Sequence, residues 1–175
     1  MHKEAIIEKL ESVHNDLSLW LEKHDEEKWT IGPEGKWTTG QHVMHLLQSI
    51  KMLNNAMSMP KFILRYKFGK ANRAIRDFDT VVSRYNERLS QVSSDAIFSP
   101  SKNMKAPTLK DKAYIIDRII AENKKLQHKT KKWSDKHLDT YILPHPLMGK
   151  MPVREIVMWT SHHVNHHLNT LKEKY

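Results

Sequence analysis

Twelve of the 175 residues are histidine, and four of them fall within the six-residue run His162-His163-Val164-Asn165-His166-His167. Imidazole is the commonest metal ligand, through either ring nitrogen. Side chains at i and i+4 share a helix face, so one ion can touch both. The run offers two such pairs, His162 with His166 and His163 with His167. The chain has no cysteine. Disulfides and thiolate metal sites are therefore excluded, and a metal site here must draw on histidine, carboxylate or water.

Helical phase separates the two pairs. A last helix is expected over Met151 to Leu171, with Val153, Ile156, Val157, Val164, Leu168 and Leu171 marking its buried side. At ~100° per residue, His163 and His167 lie roughly 50–90° from the centre of that side. His162 and His166 lie roughly 150–170° away, towards water. The first pair can therefore point into a cleft between helices. The ordinary alternative is a polar flank on a surface helix, and a third histidine elsewhere weighs against it. Candidates for that third histidine stand in a second helix. Trp37-Thr38-Thr39-Gly40-Gln41 places Thr38 as N-cap and Gln41 at the position that completes a capping box. His42 and His45 follow within the first two turns. Phase against Val43, Leu46, Ile50 and Leu53 makes His42 the more inward of the two. A site at the mouth of a bundle uses flank positions, so periodicity leaves both open.

The elements that must position these residues are helical. Ile6, Leu10, Val13, Leu17, Trp20 and Leu21 make one stripe on a helix over Lys3 to Lys23, with His14 and His24 expected at its surface or flank. A loop over Asp25 to Trp37 contains Gly32-Pro33-Glu34-Gly35. The second helix runs to about Met57 and is limited by Pro60. Lys61 to Asp77 interleaves aromatics with Arg65, Lys67, Lys70, Arg73 and Arg76, and Gly69 breaks any local helix; a solvated connector is expected there in preference to a substrate lid. A third helix is expected over Asp79 to Val92, then a Ser/Pro/Lys loop over Ser93 to Pro107. Thr108 and Asp111 cap a fourth helix with Ala113, Ile116, Ile119, Ile120 and Leu126 inward, ending near Trp133. Ser134 to Lys150 is expected to be non-helical, broken by Pro144, Pro146 and Gly149, and Pro152 to open the last helix. No strand of period two and no internal repeat stands out. The expected fold is all-α, a four-helix bundle of up-and-down type with crossover loops, as one domain over residues 1–175.

The formal net charge is +9. Lys124, Lys125, Lys129, Lys131, Lys132 and Lys136 are spread around a helix and are not gathered into a groove, so they read as solvation of exposed faces. No zinc finger, RNP or helix-turn-helix signature accompanies them, which argues against nucleic acid as a partner. The N-terminus lacks an apolar signal region, and no apolar run reaches membrane-spanning length. A soluble, cytoplasmic protein is expected. Five tryptophans and the aromatic Lys61–Phe68 stretch offer apolar surface beyond what four helices absorb, consistent with a homodimer.

Two stretches together resemble the DinB superfamily of bacterial metal-binding helical bundles, in its DinB-like and YfiT-like branches. One is Trp37-Thr38-Thr39-Gly40-Gln41 leading to His45-Leu46-Leu47-Gln48-Ser49. The other is Pro144-His145-Pro146-Leu147-Met148-Gly149-Lys150, then Arg154-Glu155, then His163 with His167-Leu168. The resemblance spans nearly the whole chain in element order. It implies one divalent ion, zinc or nickel, held by His45, His163 and His167; the competing register uses His162 and His166. Three neutral imidazoles leave a position open for water or substrate. Characterised members are similar to thiol S-transferases that use a low-molecular-weight thiol such as bacillithiol or mycothiol, and others are named metal-dependent hydrolases. A small-molecule substrate is therefore expected. No catalytic residue is assigned. Glu155 stands two turns before His163 with no evident aim at the site, and His145 reads as a loop histidine between prolines sooner than as support for the ligands. The alternatives are a non-catalytic metal-binding module and a basic nucleic-acid-binding bundle.

Overall fold

Apolar stripes at helical spacing become helices in the computed structural model of the chain, which describes residues 1–24, 26–92 and 104–175. In chain order these form α1 (Lys3–Lys23), α2 (Glu27–Thr30), α3 (Thr39–Ser58), α4 (Lys61–Phe68), α5 (Phe78–Ser90), α6 (Lys112–Lys132), α7 (Asp135–Thr140), a hairpin of β1 (Ile142–His145) and β2 (Gly149–Pro152), and α8 (Val153–Lys174). The fold is all-α apart from that hairpin. α1 and α3 each pack against both α6 and α8, which closes a ring of four long helices. α5 lies against α8. Leu10, Leu46, Leu126 and Val164 bring one fully buried side chain from each long helix to the core. Each such burial stabilises the fold by about 1.5–3 kcal/mol. An unpartnered buried polar group costs about the same order, so a core of this size can hold a few polar residues in its wall.

The stripes on α1 and α3 fall as expected. On α6 the phase is off by one position: Ala113 is exposed, and Ile115, not Ile116, is fully buried beside Ile119 and Leu126. Thr108 and Asp111 do form a capping box, but it opens a single 3-10 turn, and this turn sets the rotation of the α-helix behind it. Most of the Ser93–Pro107 loop lies outside the described residues.

Ser134 to Lys150 is not irregular. Ser134 caps α7 by accepting the His137 N–H at 3.2 Å. The chain then pairs Ile142 with Pro152 and His145 with Gly149 in antiparallel register. Gly149 closes the turn at φ +70°, a conformation that favours glycine. Pro152 is thus the last residue of β2 and the N-cap of α8, one step before the helix proper. Strands of four residues with a proline in each carry no readable alternation.

Arg154 and Glu155, in the first turn of α8, tie down both long crossovers. Arg154 donates to Asp135 at 2.5 Å and to Asp139, which fixes α7. Glu155 is fully buried and takes a bidentate bond from Arg73 at 2.6 and 2.7 Å, plus the Arg76 backbone N–H at 2.8 Å. The basic connector is therefore anchored where a solvated one is expected, and its first part is the helix α4. Leu64 points inwards from that helix, while Phe62 and Tyr66 are exposed. No helix of the described residues is long and apolar enough to cross a membrane.

Candidate metal centre

The start of α3 is fixed before its histidines are reached. The Thr38 hydroxyl accepts the Gln41 N–H at 3.2 Å, and the Gln41 side chain accepts the Thr38 N–H at 2.9 Å. Gly40 lies directly on Trp29: a Cβ there would stand 2.9 Å from the indole Cε2 and 3.0 Å from the Trp29 carbonyl oxygen. The indole N–H of Trp29 in turn donates to the Thr108 carbonyl at 3.0 Å. These contacts set the azimuth of His42 and His45 against α8.

Three imidazoles then converge. His45 Nε2 lies 3.1 Å from His163 Nε2, and His167 Nε2 lies 3.1 Å from the same atom. All three ligand atoms are within 4.8 Å of one another. Hydrogen bonding alone does not account for this. A neutral imidazole nitrogen carries one hydrogen or one lone pair, so His163 Nε2 cannot satisfy two ring nitrogens at once. A cation between three lone pairs does. At Zn–N distances of 2.0–2.1 Å, tetrahedral ligands stand about 3.4 Å apart. The two contacts to His163, at 3.1 Å, need only tenths of an ångström to reach that.

The protonation states agree. Burial holds His163 and His167 well below the ordinary histidine value, and it pushes His45 down to about 4. All three are neutral at pH 7, the form that ligates. His42, the more buried of the α3 pair, stands behind them. Its Nδ1 lies 2.8 Å from Nδ1 of His167. With Nε2 of His167 turned to the cluster as a lone pair, its Nδ1 carries the proton and donates to His42. His42 Nε2–H then faces the Tyr175 hydroxyl at 3.4 Å, and that hydroxyl donates to the Trp37 carbonyl. The indole of Trp37 stacks over His167 at 6.2 Å and Trp159 over His163 at 4.4 Å.

His162 and His166 do not face water as phase predicts. α5 covers them: the Tyr85 ring stands edge-on to both, at 5.6 and 6.4 Å. Both are half-buried and outside the cluster. His14 likewise sits inside the protein, donating to the Leu10 carbonyl at 2.8 Å, and not at the surface of α1. Glu155 serves Arg73 and Arg76 and has no part in the cluster. His145 is buried in the hairpin. Its Nδ1 accepts the backbone N–H groups of Leu147 and Met148 at 3.1 and 3.0 Å. That role is invisible in the sequence: His145 stands directly before the turn and accepts N–H groups two and three residues on, as an Asx residue does.

The cluster opens onto a cavity of about 760 Å³ lined by α3, α4, α5, the hairpin and α8. Its wall is largely apolar, and among the described residues no Asp, Glu, Lys or Arg lines it. A second, more open depression of about 420 Å³ lies beside Met1, Asp135 and Arg154 and shares no lining residue with it. The charged groups there are already engaged, Arg154 with Asp135, Arg76 with Glu155, and Asp77 with the Thr80 N–H, so the chemistry belongs to the histidine-lined cavity.

The sequence profile of the DinB superfamily matches residues 9–171, nearly the whole chain and every element that contributes a histidine to the cluster. The chain belongs to the DinB superfamily. No curated protein matches it significantly. Within this DinB superfamily protein, the residues present suit a divalent metal ion: an all-nitrogen set of three, held neutral, with one ring oriented from behind.

Proposed function

We propose that this DinB superfamily protein is a divalent-metal-dependent enzyme acting on a small molecule, with His45, His163 and His167 as the ligands and thiol S-transfer as the reaction. The observation that carries the proposal is the convergence of three Nε2 atoms on the wall of an apolar cavity. Three imidazoles suit zinc or nickel; magnesium and calcium want oxygen. When bound, such an ion supplies Lewis-acid chemistry and lowers the pKa of a coordinated water or thiol.

The chain's own residues do the rest. His42 holds His167 in one tautomer, and the two indoles of Trp37 and Trp159 hold the rings in place. The apolar wall keeps bulk water from an electrophile. Among the described residues no carboxylate lines that wall, which favours thiol transfer over hydrolysis, because a carboxylate base is what water-activating zinc sites of the protease type add. Zinc sites that hydrate without such a base keep hydrolysis as the second reading.

The test begins with protein purified without a nickel column. Elemental analysis should find close to one zinc or nickel per chain. A panel of low-molecular-weight thiols with a chromogenic electrophile should then show conjugation that His163→Ala abolishes. Ester or amide cleavage without any thiol would establish the hydrolase instead. Bound metal with no turnover of either kind would leave a binding module.

A further inference from the structure

The cavity holds a second feature that the metal reading does not use. His145 and Trp159 are 6% and 7% exposed, and both line the cavity wall. Each presents a ring nitrogen that is buried and meets no hydrogen-bond partner among the described residues: Nε2 of His145 and Nε1 of Trp159. The chemical state of both atoms is fixed. Two backbone N–H groups point at Nδ1 of His145, so Nδ1 is the acceptor and Nε2 carries the hydrogen. The indole nitrogen can only donate. The two rings stand edge to face, with centroids 4.2 Å apart. An aromatic face is a weak acceptor and leaves an N–H short of a full partner. Buried donors without partners cost about as much as a lost hydrogen bond, and here two are carried by adjoining rings of one wall.

We propose that His145 and Trp159 form a two-donor clamp in the cavity that takes a hydrogen-bond-accepting oxygen, such as the carbonyl of an otherwise apolar small molecule. The inference rests on the cavity being the ligand site, as proposed above, but needs no ion in it. Its direction follows from the groups present. Both are donors, so the ligand offers an acceptor. Tyr85, which closes the same wall, is held as the neutral phenol, its pKa pushed up to about 12 by burial. Among the described residues no charged side chain lines the cavity, so a neutral acceptor is matched and an ammonium group is not. Leu89, Leu143 and Ile156 supply the surface for the apolar remainder. For a thiol transferase, this makes the electrophile a carbonyl-bearing compound whose oxygen is held here while its carbon skeleton occupies the apolar part.

The probes are acetophenone and ethylbenzene, which share a shape and differ in the carbonyl. Binding is followed in ¹⁵N-labelled protein as purified and again after chelator treatment. The indole N–H of Trp159, identified by its loss in Trp159→Phe, should move on adding acetophenone and stay in place with ethylbenzene. His145→Asn keeps an acceptor oxygen for the Leu147 and Met148 N–H groups while removing the Nε2 donor. That variant and Trp159→Phe should each weaken acetophenone binding about five- to tenfold and change ethylbenzene binding less than about twofold. Comparing each ligand with itself across variants cancels their different transfer from water. An unmoved indole resonance, equal effects on both probes, or no acetophenone binding at low-millimolar concentration would overturn the clamp. The indole shift is read on the unaltered chain, so a variant that fails to fold does not remove the test. Protein that holds no metal yet shows these shifts sinks the metal-enzyme reading and leaves the clamp standing.

Discussion

His42 and His45 stand three residues apart on α3, face the same neighbouring helix, and make contacts of different kinds. His45 reaches His163 through Nε2, while His42 meets the outer nitrogen of His167. Helical phase identifies His42 as the more inward residue, and burial agrees. The cluster nevertheless takes His45, because it lies on a cavity wall where a flank position points. Only the motif indicated that. On α8 the preference for His163 and His167 was legible in the helical phase, yet the environment of His162 and His166 was not: phase describes an isolated helix and cannot know that α5 will cover them. Two expectations follow at this scale. His45→Ala, His163→Ala or His167→Ala should each empty the site on elemental analysis, and His162→Ala should leave it full. The reverse pattern for His162 and His163 would shift the register by one residue. His42→Ala should weaken metal binding about 10–100-fold in competition with a chromophoric chelator, as loss of a group orienting a ligand does. Unchanged affinity would make the 2.8 Å contact incidental.

Among the elements, the helices with long amphipathic stripes and caps were readable because their signals are local. The capping box at Thr38 and Gln41 forms as the sequence implies, and the stop at Gly69 is where α4 ends. α7 and the hairpin were not readable. Four-residue strands are too short for a period to show, even though their pairing is local, and the Arg154 and Glu155 anchors depend on partners far along the chain. Gly40 shows the same limit in one residue. Inside a helix, propensity alone predicts that Gly→Ala stabilises by about 1 kcal/mol. The structure reverses the sign, because the new Cβ would fall 2.9–3.0 Å from both the ring and the backbone of Trp29. Overpacking of this kind costs about 1–3 kcal/mol. Gly40→Ala should therefore be net destabilised in urea unfolding, and it should also hold metal less tightly, since α3 must shift its histidines. A variant more stable than the parent would mean that α2 does not press on α3 as described.

For the molecule as a whole, the buried histidines set a stability that depends on pH. Burial pushes His14, His42, His45 and His145 down to about 4 and holds His163 and His167 well lower than usual. In the unfolded chain the same rings titrate near 6.5. Between those values the unfolded state binds more protons than the folded one, so stability rises with pH there. It is fully present above about pH 6.5 and drains away as pH falls towards 4. Each of the four rings held near 4 is worth on the order of 3 kcal/mol across that window. Against a typical total of 5–15 kcal/mol, a few of them suffice to unfold the domain. The capping carboxylates Asp77 and Asp111 also sit below their ordinary range, held by N–H donors, but they are exposed and titrate at lower pH, so they do not set this transition. The protein should therefore lose its helical circular dichroism cooperatively between about pH 6 and 4. His14→Gln, which removes a buried titrating ring remote from the cluster while keeping a donor for the Leu10 carbonyl, should shallow the slope. An ion that binds only neutral imidazoles stabilises the folded form, so saturating zinc should move the midpoint to lower pH. A chain that stays folded below pH 4, or a midpoint indifferent to zinc in protein shown to bind it, would mean that these rings accept protons in place and that the core around them is wetter than its packing indicates.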